Sequence, residues 1–203
     1  MIRHIFTALA VAGLASSLWV AAAVADKETE KKFEVVCLVS GQPAKKENVV
    51  KYLGKDVYFC CMNCPKAFKA DTKKFDAKAK LQMLETAQIT QVGCPISGKA
   101  IDENVTLDIG KAKVAFCCDK CKAEVAQADD KAKAVFGNFD KGFTLQTSCP
   151  ISGKPLNAAQ VVEHKGKKVY FCCPACPAAF TNDPEKYLAK LPQFAKEEAK
   201  DAK

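Results

Sequence analysis

Apolar residues along this chain fall into three patterns. The first is a continuous run from Ile5 to Val20, preceded by Arg3 and His4 and followed by Ala21, Ala22, Ala23, Val24 and Ala25. A basic start, a short apolar stretch and a small-x-small site before Asp26 predict a cleaved secretory signal peptide over residues 1–25, not a membrane span. The second pattern is a short apolar-aromatic block that recurs as Val57-Tyr58-Phe59, Val114-Ala115-Phe116 and Val169-Tyr170-Phe171. These blocks predict strands, with turns supplied ahead of two of them by Gly54-Lys55-Asp56 and Gly166-Lys167-Lys168. The third is helical: Phe68 and Phe180 stand four residues after Cys64 and Cys176, which puts each ring beneath its cysteine on one helix face. Pro65 and Pro177 suit the first turns of those helices, and Asp183-Pro184 predicts a cap and first position for a further helix to Leu188. Each unit therefore reads as a turn, a β-hairpin and a following helix, and the chain as α+β.

The cysteines repeat in step. They are Cys37, Cys60, Cys61 and Cys64, then Cys94, Cys117, Cys118 and Cys121, then Cys149, Cys172, Cys173 and Cys176. The first and second members are 23 positions apart in every unit, and each adjacent pair is followed by x-x-Cys. Around the first members stand Leu38-Val39-Ser40-Gly41, Pro95-Ile96-Ser97-Gly98 and Pro150-Ile151-Ser152-Gly153, predicted as tight turns in which glycine takes a positive φ. The units are delimited as 33–86, 88–136 and 143–194, with a charged tail over 195–203. The middle unit is the most divergent, with Val125 in the place of the phenylalanine and Ala115 in the place of the tyrosine. Val135-Phe136-Gly137-Asn138-Phe139 and the stretch to Thr147 read as a linker with apolar anchors. Units this small rarely stabilise themselves by a hydrophobic core alone.

Charge narrows the partners. The formal net charge of +8 is carried by lysines interspersed with acids, and Arg3 is the only arginine. Nucleic-acid binding is not expected from that distribution. Twelve cysteines are compatible with three chemistries. Thiolates converging from a turn and from a strand-to-helix junction suit a soft metal, with Zn²⁺ the expected ion and Cu⁺ the alternative. An exported chain could instead pair them as disulfides in a structural or interaction protein, although two adjacent cysteines cannot readily bond to each other. Cys61-Met62-Asn63-Cys64, Cys118-Asp119-Lys120-Cys121 and Cys173-Pro174-Ala175-Cys176 also have the form of thiol-redox motifs, but the βαβ context that usually accompanies them is absent. His164 is the only histidine beyond residue 25 and reads as a surface turn residue or an additional ligand. Nothing recurs beside it as a catalytic partner, so a binder is expected and not an enzyme.

These units resemble the TRASH and YHS metal-binding domains, most closely in the third unit through Cys149-Pro150-Ile151-Ser152-Gly153-Lys154, Val169 to Cys176, and Phe180 with Asp183 to Leu188. The first unit matches well and the middle one in part. The resemblance implies small treble-clef-like modules associated with heavy-metal trafficking, resistance and sensing. It implies metal-ligand roles for Cys37, Cys60 and Cys64, for Cys94, Cys117 and Cys121, and for Cys149, Cys172 and Cys176. Two departures stand out: serine occupies the second knuckle position at Ser40, Ser97 and Ser152, and the Tyr-His-Ser tripeptide is absent. Either Cys61, Cys118 and Cys173 complete each ligand set, or the fourth position is open.

Overall fold

The computed structural model describes residues 33–194. The signal-peptide expectation and the charged tail lie outside the described residues. Within them the chain is α+β, and three hairpin-and-helix units follow one another in sequence.

In the first unit, β1 (Lys45–Tyr52) pairs antiparallel with β2 (Lys55–Phe59), followed by α1 (Cys64–Ala70) and α2 (Thr72–Glu85). A short strand, β3 (Thr90–Gln91), leads into the second unit, with β4 (Asp102–Ile109), β5 (Ala112–Phe116), α3 (Asp119–Ala126) and α4 (Lys131–Phe136). After α5 (Phe139–Gly142), β6 (Phe143–Thr144) pairs back onto β3. The third unit has β7 (Asn157–His164), β8 (Lys167–Phe171), α6 (Ala175–Asn182) and α7 (Glu185–Leu188).

The hairpins share one register. Tyr52↔Lys55, Ile109↔Ala112 and His164↔Lys167 close them, and each ladder slips at the same place, between Lys45 and Val49, Asp102 and Thr106, and Asn157 and Val161. Leu53-Gly54 and Lys165-Gly166 hold positive φ at both turn residues, whereas the middle hairpin turns on Gly110 (φ 60°) followed by Lys111. The Gly110-Lys111 pair stands one residue further ahead of Val114 than Gly54-Lys55 and Gly166-Lys167 stand ahead of Val57 and Val169, so this turn escapes a search for the spacing of the other two. A Cβ at Gly110 would run into the Glu85 carboxylate, so this turn also fits closely against α2.

The first two units share one core. Phe59, Phe68, Ala79, Met83, Val114, Phe116, Val125, Val135, Phe136 and Phe143 are all buried in it. Helix α2 lies between the two hairpins: Gln82 bonds to β2, while Glu85 accepts the Lys111 N–H at 2.8 Å. The third unit has its own smaller core of Val169, Phe171, Phe180 and Leu191. The stretch expected to be a linker is thus corrected: Val135, Phe136 and Phe143 belong to the shared core, and α4, α5 and β6 are built from it. Asp71 and Asp130 cap α2 and α4 through the N–H groups of Lys74 and Lys133 at 3.0 and 2.9 Å. At the corresponding place in the third unit Pro184 occupies the N-cap position of α7, with no side-chain cap, so the capping role expected of Asp183 is not realised.

Candidate metal centres

Each site begins at a turn. The N–H of Gly41 bonds to the carbonyl of Cys37 and the N–H of Cys37 to the carbonyl of Gln42, both at 2.8 Å, and the same pair of bonds recurs at Cys94 and Cys149. Gly41, Gly98 and Gly153 have φ of 75°, 73° and 71°, which L side chains rarely adopt. The turn points the first cysteine inward, where it is buried. The second cysteine directly follows the second hairpin strand, and the fourth lies at the start of the following helix, above Phe68, Val125 or Phe180.

The outcome is three sets of sulfurs, Cys37/Cys60/Cys64, Cys94/Cys117/Cys121 and Cys149/Cys172/Cys176, in each of which the Sγ atoms all lie within 4.8 Å of one another. The second and fourth members are 3.6, 3.7 and 3.7 Å apart in the three units. A tetrahedral site with metal–sulfur bonds of about 2.3 Å has sulfur–sulfur edges of about 3.8 Å, so the spacing fits an ion at the centre. All twelve cysteines are free thiols, and each set could hold a metal ion. Cys61 and Cys118 are exposed and Cys173 is half-buried, each on the rim of its cluster and 3.6, 3.8 and 3.4 Å from the fourth cysteine.

The electrostatics differ by position. Burial opposes ionisation of Cys37, but hydrogen bonds from the Ser40 hydroxyl and from the N–H groups of Ser40, Cys60 and Val39 outweigh it and bring the thiol down to about 6. Cys94 and Cys149 are brought to about 6 in the same way. Burial pushes Cys64, Cys121 and Cys176 up to about 12, reinforced by the neighbouring sulfurs. Hydrogen bonds from the helix-start backbone, led by the N–H of Cys64 and that of Cys121, lower Cys61 and Cys118; Cys173 is lowered first by Cys176.

Two sets of supporting contacts were not foreseen from the sequence, one of them made by serines already noted at the second knuckle position. The serines are the first: Ser40, Ser97 and Ser152 hydrogen-bond the sulfurs of Cys60, Cys117 and Cys172 at 3.1, 3.2 and 3.1 Å. The second group is a set of glutamines that clamp the strand leading to each cysteine pair. Gln82 Oε1 accepts from Tyr58 N at 2.7 Å and its Nε2 donates to Tyr58 O at 2.9 Å. Gln91 does the same for Ala115 and Gln146 for Tyr170. Gln91 and Gln146 each stand three residues before a cysteine, a repeat that could have been found; in the first unit the clamp comes from α2 instead.

His164 is neither a free surface residue nor a member of any described sulfur cluster. Its ring meets Phe180 edge-on at 5.4 Å and Phe194 at 5.7 Å, and its Nε2 is shielded from solvent. It occupies the position of Tyr52, which meets Phe68 edge-on at 5.2 Å, so it closes the third core. Among the described residues no helix is long and apolar enough to cross a membrane. No family model matches the chain, and no curated protein or solved structure matches it either.

Proposed function

We propose that this chain is an exported thiolate metal-binding protein that takes one soft ion per unit, Zn²⁺ first and Cu⁺ as the alternative, and serves in metal trafficking or buffering without catalysing a reaction. The observation that carries this is the threefold recurrence of one arrangement: three sulfurs within 4.8 Å, delivered by a turn, a strand end and a helix start. Sulfur donors at that spacing suit soft ions over calcium or magnesium, which take oxygen ligands. The TRASH/YHS resemblance of the motifs and the leader-like first residues support the same reading. Cys37, Cys60 and Cys64 and their counterparts hold the ion; Ser40, Ser97 and Ser152 support the ligand sulfurs by hydrogen bonding.

Native mass spectrometry of protein purified from exported expression, with free thiols counted on the same sample, tests this. About one ion per sulfur cluster, removable by chelation with recovery of the thiols, is the expected result. A metal-free protein with its thiols consumed in disulfides would overturn it and make the chain a disulfide-stapled structural protein.

A further inference from the structure

We infer that the rim thiol of each site, Cys61, Cys118 or Cys173, is where the ion is loaded and released, by exchange of one sulfur ligand for another with a thiol-bearing donor or acceptor in solution. This rests on reading the clusters as metal sites and adds a route to them.

The middle unit shows the geometry most fully. Its inner set is Cys94, Cys117 and Cys121, within 4.8 Å. An outer set is formed by Cys117, Cys118 and Cys121, with sulfur–sulfur distances of 3.7, 3.7 and 3.8 Å. The two sets share the Cys117–Cys121 edge, and they differ by one member on each side of it. Cys94 is fully buried, whereas Cys118 is exposed. An ion in the inner set is therefore enclosed by protein, and one in the outer set faces water.

Passage between the sets changes one bond. The bond to the Cys118 sulfur forms as the bond to the Cys94 sulfur breaks; the Cys118 proton leaves to solvent and the Cys94 thiolate can take one up, with no change of oxidation state. An incoming thiolate then displaces the remaining sulfurs from the open side. The first and third units repeat the outer contact, Cys61 to Cys64 at 3.6 Å and Cys173 to Cys176 at 3.4 Å. They do so with different intervening residues, Met62-Asn63 and Pro174-Ala175 in place of Asp119-Lys120. The placement follows from the strand-to-helix junction and not from those side chains.

The test uses the reduced full chain loaded with Zn²⁺ and a chromophoric chelator in excess, comparing wild type with the Cys61→Ser, Cys118→Ser, Cys173→Ser triple variant. Unchanged ion stoichiometry and affinity with release slowed by roughly tenfold is expected, a difference confined to the rates. Release as fast as in wild type would overturn the inference, and so would loss of ions or of affinity, which would make the rim thiols resident ligands. Failure of wild type to take up zinc would sink the metal reading itself, and so is distinguishable. Should the triple variant not fold, Cys118→Ser alone suffices: about a third of the fast release amplitude should become slow, one site among the three. An undivided fast trace refutes the proposal.

Discussion

At the scale of single residues, the four thiols of a unit are chemically distinct although the sequence writes them alike. Turn amides and a serine hydroxyl stabilise the first as thiolate, while burial keeps the fourth protonated until an ion arrives. Metal uptake at pH 7 should therefore release a proton from Cys64, Cys121 or Cys176, whose thiols lie near 12. As the pH falls through about 6, Cys37, Cys94 and Cys149 also become protonated, and affinity should fall more steeply there because the ion must displace a further proton per site. Calorimetry in buffers of different ionisation enthalpy measures both. Replacing Ser97 by alanine removes the hydrogen bond to Cys117 and leaves the sulfur in place. Zinc affinity of the middle site should weaken by about tenfold, read by chelator competition, with stoichiometry unchanged.

At the scale of elements, a site is only as well placed as the strand that ends in its cysteine pair. In β2 that strand is held on one side by β1 and on the other by the Gln82 amide, which also donates to the carbonyl of Val36 at 2.9 Å. Gln82→Ala removes the partner of both the N–H and the carbonyl of half-buried Tyr58 and should cost about 1–3 kcal/mol in denaturant unfolding. A loss under about 0.5 kcal/mol, the level of an ordinary surface substitution, would mean the clamp is redundant. The strand, turn and helix calculus of the sequence foresaw the second hairpin strands and the helices bearing Phe68 and Phe180. It missed this clamp because a buried glutamine in α2 carries no local signature: its partner is 24 residues away.

At the scale of the whole molecule, the three units do not stand alike. The first two are fused around α2 and share Met83, Phe136 and Phe143, while the third closes over Phe180, His164 and Leu191. Phe180→Ala should loosen the third unit by about 3–5 kcal/mol. Hydrogen exchange should then rise in β7, β8 and α6 while the first two units keep their protection and their ions. Met83→Ala should act in the opposite way, raising exchange in both of the first two units together, because its side chain is buried in the core they share.

The repeat, the hairpin-and-helix grammar of each unit and the places of the cysteines were legible in the residues alone, because these are local: strand blocks, turn glycines and helix prolines act within a few residues of themselves. The sequence left open how four thiols in one unit divide their labour, and the tertiary structure decided that by burying one, exposing another and bringing a serine hydroxyl to the second from a turn 20 residues away. The reading of residues 135–147 failed for a related reason. Val135, Phe136 and Phe143 are apolar residues between recognisable units, and their burial depends on a surface offered by α2, far back in the chain. Periodicity reports what a segment can bury, and only the packed fold supplies the partner against which it is buried.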